Sequence, residues 1–520
     1  MTRLLTSSDI TLSRADSIAD TMSSIETVLT RFAIPIECTN ARERETRGGR
    51  RGALAILDRV SYLPNSDDDR REMLGRLGLS SLDELFSVIP DSLRDPRIDL
   101  PPPLGEQDLV SEVERIAARN RPLSAFDSFL GAGVYRRFIP AIVRASIARP
   151  EFYTAYTPYQ AEASQGTLQT IFEFQSMICE LTGMEVANAS LYDGATAAAE
   201  AMVMTVQATN RDRFAVADSV HPETLRVLRT FAEGRRIEID LIPTTDGRVT
   251  VDAVRTVLDE RHAGVLVQQP SFLGTVDDLA PIPGAAHAAG ALAVCSTDLI
   301  ACAVLAPPGG LGFDIAVGDG QPLGIPPSFG GPHVGCLAAR AALVRRMPGR
   351  LVGLTSDSDG RRAYTLTLQT REQHIRREHA TSNICTNHAL MALAATAYMA
   401  HMGAGGMRAV AATSARRAHH LAAQLADIDG LALAYPDAPF LWEFVLRCGD
   451  ASRFVAQLRR SGIIAGVDLG RFDHRRRDQV LVCCTEMTPP DAIDRYVDAA
   501  REAAGAFRPV VVPSVARVPS

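Results

Sequence analysis

The chain of 520 residues contains no lysine, because all 54 residues counted as lysine or arginine are arginine. Many enzymes use the amine of a lysine side chain to form a Schiff base with a carbonyl compound. A chain without lysine cannot form that bond. Any mechanism that requires a lysine Schiff base is therefore excluded for this chain acting alone.

Several other features are absent. The net charge is −7, so no excess of basic groups is available to neutralise the phosphates of a nucleic acid. No apolar run is long enough and free enough of charge to predict a membrane span. The nine cysteines are scattered and form no CxxC pair, which predicts free thiols in a reducing compartment and no metal site. The N-terminal segment lacks the apolar region of a secretory signal, and we expect a cytoplasmic protein.

Composition and periodicity predict an N-terminal extension, a helical arm that follows it and a C-terminal tail. Residues 1–57 are rich in Ser, Thr and Arg, and they predict a disordered extension. Residues 509–520 are interpreted as a tail. Residues 58–125 predict the helical arm, in which Ser81 and Glu84 form a capping box before the second helix.

The rest of the chain has the pattern of an α/β protein. In residues 126–350, short apolar or β-branched runs alternate with helical patterns, which favours a largely parallel sheet with covered faces. Residues 351–508 predict a connecting helix and a smaller α+β domain. The predicted strands of the large domain are 213–217, 237–242, 264–268, 292–295 and 315–317.

A tyrosine-rich stretch precedes a predicted helix. Its residues Tyr156, Tyr159 and Gln160 combine aromatic faces with hydrogen-bonding tips, which suit a flat cofactor or a small polar substrate. The alternative is a packed tyrosine cluster at a domain edge.

Two further stretches could bind a ligand. A Tyr-Asp-Gly-Ala turn at Asp193 and Gly194 opens a helix whose free N–H groups form an anion site, although a plain N-capped helix has the same pattern. Thr381, Ser382 and Asn383 supply short polar groups before another helix, next to an arginine-rich run. The alternative for this second stretch is a solvated charged face.

These stretches, in this order, resemble the glycine dehydrogenase (decarboxylating) family, the P-protein of the glycine cleavage system. The resemblance is to the N-terminal half or subunit 1, and it spans residues of about 58 to 508. The matching segments include 61–74 (SYLPNSDDDRREML), 82–90 (LDELFSVIP), 129–135 (FLGAGVY), 155–184 (AYTPYQAEASQGTLQTIFEFQSMICELTGM), 192–201 (YDGATAAAEA), 318–335 (GDGQPLGIPPSFGGPHVG), 347–353 (MPGRLVG), 366–378 (LTLQTREQHIRRE), 381–390 (TSNICTNHAL) and 439–445 (PFLWEFV).

The resemblance implies the aspartate aminotransferase fold (fold type I) of pyridoxal-phosphate (PLP) enzymes. In that fold the turn at Asp193 and Gly194 would cradle the PLP phosphate, and Asp298 would face the pyridine nitrogen. Gln321 stands at or next to the position of the Schiff-base lysine. Glutamine can form hydrogen bonds but no imine, so the resemblance implies a vestigial cofactor pocket.

The resemblance also implies a division of labour between two chains. In the two-subunit form of the enzyme, both subunits share the fold, but only subunit 2 carries the lysine and PLP. Together with subunit 2, subunit 1 would decarboxylate glycine and transfer the aminomethyl group to the lipoyl arm of H-protein, in an α2β2 assembly. This chain is not expected to be active alone.

The residues that would reach the shared site are Tyr156, Tyr159 and Gln160, with Thr381, Ser382 and Asn383. The alternative is a non-catalytic pseudoenzyme that kept the fold and acts as a scaffold or regulator.

Two positions depart from the family pattern. Arg137 stands where we expect a histidine, and His379 replaces a usual lysine. Arginine is longer than histidine and always charged, so the contacts expected beside the 129–135 loop are in question.

Overall fold

The computed structural model describes residues 65–94, 96 and 99–505. The extension predicted over residues 1–57 and the tail predicted over residues 509–520 lie outside the described residues. The chain divides into two compact units, one ending at Ser111 and the other starting at Glu112.

Helix α1 (Asp67–Arg76) of the first unit begins with a reciprocal cap. The hydroxyl of Ser66 accepts a hydrogen bond from the Asp69 N–H at 3.2 Å, and the Asp69 carboxylate accepts one from the Ser66 N–H at 2.8 Å. An N-cap of this kind stabilises a helix by about 1 kcal/mol. Helix α2 (Glu106–Ala117) follows later in the chain.

The capping box predicted at Ser81 is wrong. Leu82–Phe86 forms a 3-10 helix, and the Ser81 side chain makes no capping hydrogen bond. The Glu84 carboxylate instead accepts hydrogen bonds from the backbone and hydroxyl of Ser80. A local bond to the preceding serine has therefore replaced the expected cap.

The second unit contains the remaining elements. Its strands are β1 (Asp127–Ser128), β2 (Val186–Ala187), β3 (Arg213–Ala217), β4 (Glu238–Ile242), β5 (His262–Gln269), β6 (Leu292–Thr297), β7 (Ile315–Asp319), β8 (Gly335–Ala339), β9 (Leu351–Ser356), β10 (Arg362–Thr367), β11 (Ala432–Leu433), β12 (Glu443–Arg447), β13 (Ile463–Ile464), β14 (Val467–Asp468) and β15 (Gln479–Cys483). Its helices are α3 (Ala141–Ile147), α4 (Pro150–Tyr153), α5 (Gln165–Thr182), α6 (Gly194–Thr209), α7 (Pro222–Arg235), α8 (Val251–Val257), α9 (Ile282–Ala288), α10 (Pro308–Leu311), α11 (Gln373–Arg376), α12 (Ala389–Ala426), α13 (Ala451–Arg460) and α14 (Pro490–Ala504).

A seven-stranded sheet forms the centre of this unit, in the order β2-β8-β7-β6-β5-β3-β4. Strands β3 to β7 pair in parallel, and β8 pairs antiparallel with β7 and with β2. The central strands are apolar along their length because helices cover both faces, and Val265, Leu266 and Val267 of β5 are fully buried. The predicted parallel α/β sheet is confirmed.

A smaller antiparallel sheet, in the order β11-β12-β15-β14, lies in the C-terminal part of the chain. Helices α13 and α14 pack against each other beside it, which confirms the predicted α+β character. The short strand β1 pairs in parallel with β13, so the segment that leads into the 129–135 loop is joined to the C-terminal part. The domain boundaries at residues 126, 350 and 508 stay predictions.

Candidate functional site

A cavity of about 420 Å³ lies at the carboxyl ends of the parallel strands β3, β5, β6 and β7. This edge of an open α/β sheet is where ligands usually bind. The cavity is lined by the 132–135 loop and by polar residues from the strand ends and neighbouring elements, namely Asp193, His221, Glu223, Thr224, Gln268, Ser296, Thr297, Asp298, Asp319, His333 and Glu443.

The 132–135 loop is held in place by a carboxylate from the small sheet. Glu443 begins β12, and its Oε1 accepts a hydrogen bond from the Ala132 N–H at 2.6 Å while Oε2 accepts one from the Tyr135 hydroxyl at 2.7 Å. A Cβ atom at Gly131 would lie 2.2 Å from Glu443 Oε1, so only glycine permits this approach. Burial raises the pKa of Glu443 to about 7.

Gln321 holds the other end of the same loop. Its side chain is buried and bonds to the backbone of Tyr135 and Ile325, and it does not itself line the cavity. The adjacent Pro322 lines the cavity instead. The residue at or next to the lysine position is thus engaged in holding the loop.

Asp298 follows β6 and faces the cavity. Its Oδ1 accepts hydrogen bonds from the N–H groups of Ile300 at 2.8 Å and Ala301 at 3.4 Å. Its Oδ2 has no hydrogen-bond partner and is inaccessible to solvent. Burial raises the pKa of Asp298, and the charge of Arg137 acts in the opposite direction. An unpartnered carboxylate oxygen of this kind fits a protonated ring nitrogen.

The N-terminus of α6 lies against the end of β7. Asp193 caps the helix through Oδ1, which accepts a hydrogen bond from the Thr196 N–H at 2.7 Å. Asp319 Oδ2 accepts one from the Gly194 N–H at 3.0 Å and lies 3.2 Å from Nδ1 of His333. This hydrogen bond to Asp319 raises the pKa of His333.

His221 lies between the cavity and the glycine loop. Its Nε2 is 2.9 Å from the Ala132 carbonyl oxygen, and its Nδ1 accepts a hydrogen bond from the Glu223 N–H at 3.1 Å. Burial lowers its pKa, so the neutral ring is favoured. An edge contact with Phe272, at 4.7 Å between ring centroids, fixes the ring plane.

The tyrosine-rich segment lies elsewhere. Tyr156 is 73% exposed and Tyr159 54% exposed, Gln160 is also exposed, and none of the three lines the cavity. The Tyr159 hydroxyl accepts a hydrogen bond from the buried Arg350 at 3.4 Å, and the Arg350 guanidinium lies 5.6 Å from the Tyr159 ring centroid. Their role in a shared site stays a prediction.

The segment 381–383 is attached to helix α6. The Thr381 carbonyl accepts a hydrogen bond from Gln207 at 3.0 Å, and the Ser382 hydroxyl accepts one from the Ile384 N–H at 3.0 Å. Ser382 is buried and Asn383 is exposed, and neither they nor Thr381 line the cavity. Their role in the shared site also stays a prediction.

Arg137 has a structural environment of its own. Its Nη1 donates hydrogen bonds to Glu486 at 2.8 Å and to Ser414 at 3.0 Å. The guanidinium lies over the Trp442 ring at 4.8 Å from the centroid. The arginine therefore forms a buried ion pair beside the loop and does not line the cavity.

Sequence reasoning missed several cavity residues, among them His221, Gln268, Asp319, His333 and Glu443. Gln268 and Asp319 lie at the ends of β5 and β7, and His221 follows β3 closely. The rule that ligands bind at the carboxyl ends of parallel strands could have identified these three. No local pattern points to Glu443, because it reaches the cavity from the small sheet.

The fold is that of the PLP-dependent enzymes of fold type I. A sphingosine-1-phosphate lyase from Burkholderia pseudomallei superposes with a TM-score of 0.59 at 15% identity, covering 80% of this chain and 94% of its own. A cysteine desulfurase from Escherichia coli superposes with a TM-score of 0.54 at 17% identity, covering 74% and 96%. At these identities the likeness concerns the fold alone.

The chain belongs to the glycine cleavage system P-protein family, whose model matches residues 60–499. A Thermomicrobium roseum protein described as a "probable glycine dehydrogenase (decarboxylating) subunit 1" is 48% identical over 445 residues, covering 85% of this chain and 99% of its own. A Moorella thermoacetica protein with the same description is 47% identical, covering 85% and 99%. The crystal structure of an inhibitor-bound glycine decarboxylase (P-protein) superposes with a TM-score of 0.77 at 43% identity, covering 85% and 99%.

Two negative findings concern the described residues only. No group of His, Cys, Asp or Glu side chains among them could hold a metal ion. No helix among them is long and apolar enough to cross a membrane.

Proposed function

We propose that this chain is subunit 1 of glycine dehydrogenase (decarboxylating) and acts only together with a lysine-bearing subunit 2. The complex decarboxylates glycine and transfers the aminomethyl group to the lipoyl group of H-protein. The observation that carries the proposal is that the chain has no lysine although its family and fold are those of PLP-dependent enzymes.

The residues of this chain meet only some of the requirements for binding PLP. Asp298 offers a free oxygen suited to the protonated ring nitrogen. No lysine is present to form the Schiff base, and Gly194 and Thr196 at the helix N-terminus already donate to carboxylates. We therefore assign PLP to the partner subunit, where it would supply the electron sink for decarboxylation.

The contribution of this chain is then to build part of a shared site. The exposed side chains of Tyr156 and Tyr159 are available to a partner, and the buried Arg350 orients Tyr159. Gln160, Thr381, Ser382 and Asn383 are proposed to contribute to the same shared site. The complex is proposed to be an α2β2 assembly in the cytoplasm.

The test is reconstitution with a candidate subunit 2. We expect the two chains to co-purify and to catalyse exchange of the glycine carboxyl carbon with bicarbonate when lipoylated H-protein is present. Each chain alone should be inactive. Exchange catalysed by this chain alone would contradict the assignment, and an active subunit 2 that gains nothing from this chain would favour the pseudoenzyme alternative.

A further inference from the structure

The N-terminus of α6 holds a carboxylate where a PLP enzyme of this fold would hold the cofactor phosphate. A helix N-terminus binds anions because its first N–H groups lack partners within the helix and the helix dipole favours negative charge. In this chain, Asp319 accepts a hydrogen bond from the Gly194 N–H at 3.0 Å, and Asp193 accepts one from the Thr196 N–H at 2.7 Å.

We propose that Asp319 is a built-in anion that replaces the cofactor phosphate and closes the cavity of this chain to PLP. The proposal extends the proposed function, and its significance for the complex rests on the assignment of PLP to the partner subunit. It concerns a property that can be measured on this chain alone.

The Asp319 carboxylate occupies the position from which a phosphate would accept a hydrogen bond from the Gly194 N–H. A Cβ atom added at Gly194 would lie 2.9 Å from the Asp319 backbone nitrogen and 3.0 Å from its Cβ. The end of β7 therefore lies directly against the first turn of α6. A phosphate could reach the Gly194 N–H only by displacing the Asp319 side chain.

Hydrogen bonds hold the Asp319 carboxylate in this position. Its Oδ1 accepts a hydrogen bond from the Gln321 N–H at 2.8 Å, while Oδ2 lies 3.2 Å from Nδ1 of His333. Both oxygens are thus engaged, and the histidine offers a positive partner when it is protonated.

The charges around the cavity act in the same direction. Asp193, Glu223, Asp298 and Glu443 also line it, and none of the described residues that line it is an arginine. A phosphate monoester carries between one and two negative charges near neutral pH. It would meet these acidic groups with no arginine to offset them, and His333, which is cationic when protonated, is already paired with Asp319.

The experiment compares the full-length wild type with Asp319→Ala, using inorganic phosphate as the probe and the melting temperature as the readout. Phosphate should leave the wild type unchanged. It should raise the melting temperature of Asp319→Ala by several degrees once its concentration far exceeds Kd, since a ligand that binds only the folded state stabilises it. Asp314→Ala is the matched control, because Asp314 lies before the other end of β7 and also pairs with a histidine, His287, at 2.8 Å.

A second measurement separates the phosphate from the ring. Asp319→Ala should bind pyridoxal 5′-phosphate at least about tenfold more tightly than the wild type, whereas pyridoxal without phosphate should bind both equally. A variant that folds only when phosphate is supplied supports the proposal. Phosphate stabilisation of the wild type, or an Asp319→Ala variant that phosphate neither stabilises nor rescues, would overturn it. Neither result depends on reconstitution, so failure of the proposed function would be seen separately.

Discussion

The side-chain amide of Gln321 pairs with both backbone polar groups of Tyr135. Its Oε1 accepts a hydrogen bond from the Tyr135 N–H at 2.8 Å, and its Nε2 donates one to the Tyr135 carbonyl at 2.9 Å. The same Nε2 donates to the Ile325 carbonyl at 2.7 Å. Gln175 pairs with Val352 in the same reciprocal way, at 2.9 Å in both directions.

We expect Gln321→Leu to lower the free energy of unfolding by roughly 2–5 kcal/mol, because it leaves buried backbone groups without partners. Gln175→Leu should cost a similar amount, since its reciprocal pair is also buried. Urea unfolding of both variants measures the losses. A Gln321→Leu protein as stable as the wild type would contradict a holding role for this amide.

Glu443 should make stability depend on pH. Its pKa is about 7 in the folded protein and 4.5 in the unfolded chain, so between these values the folded state holds a proton that the unfolded state has lost. Stability therefore falls as pH rises through this window, by roughly 3 kcal/mol in total.

Glu443→Gln removes that contribution. We expect the variant to gain stability relative to the wild type as pH rises from about 5 to about 8, measured by urea unfolding at several pH values. The exposed Glu502→Gln serves as the control and should follow the wild type. Parallel pH profiles for Glu443→Gln and the wild type would show that the carboxyl titrates normally.

The tyrosine segment is tested by Tyr156→Phe and Tyr159→Phe in the reconstituted complex. Each change deletes only a hydroxyl, so stability should change by less than about 1 kcal/mol. We expect at least one variant to lower kcat/KM by one to two orders of magnitude, which corresponds to about 1.4–2.7 kcal/mol of transition-state stabilisation. Tyr153→Phe, in the same exposed segment, is the matched control. Wild-type turnover in both variants would remove this segment from the site.

The missing lysine has a direct chemical consequence. When this chain is incubated with PLP and reduced with borohydride, we expect no stable pyridoxyl adduct on any side chain, because only the N-terminal amine could form an imine. Peptide mass mapping checks the result. An adduct at an internal residue would refute the expectation.

The sheet could be predicted closely because its signal is local. A buried parallel strand is a continuous apolar run, and the strand predicted at 213–217 matches Arg213–Ala217 of β3. The turn at Asp193 was predicted from the pattern of a helix N-terminus and Asp298 from the family resemblance, and both line the cavity.

The holding contacts around the cavity could not be predicted in the same way. Glu443 is 311 residues from Ala132 in the sequence, and Gln321 is 186 residues from Tyr135. Such pairs depend on tertiary structure and leave no periodic pattern. The failed capping box at Ser81 has a different cause, since the neighbouring Ser80 competes for the same carboxylate.

The hydrogen bond between Ala132 and Glu443 can form only after both residues have been synthesised. At ordinary rates of synthesis, the ribosome needs roughly 15 to 60 seconds to add the 311 residues that separate the two. Throughout that interval the glycine loop has no carboxylate to hold it. The wall of the cavity nearest this loop is therefore finished late in biosynthesis, and a chain released before residue 443 would leave it open to chaperones and proteases.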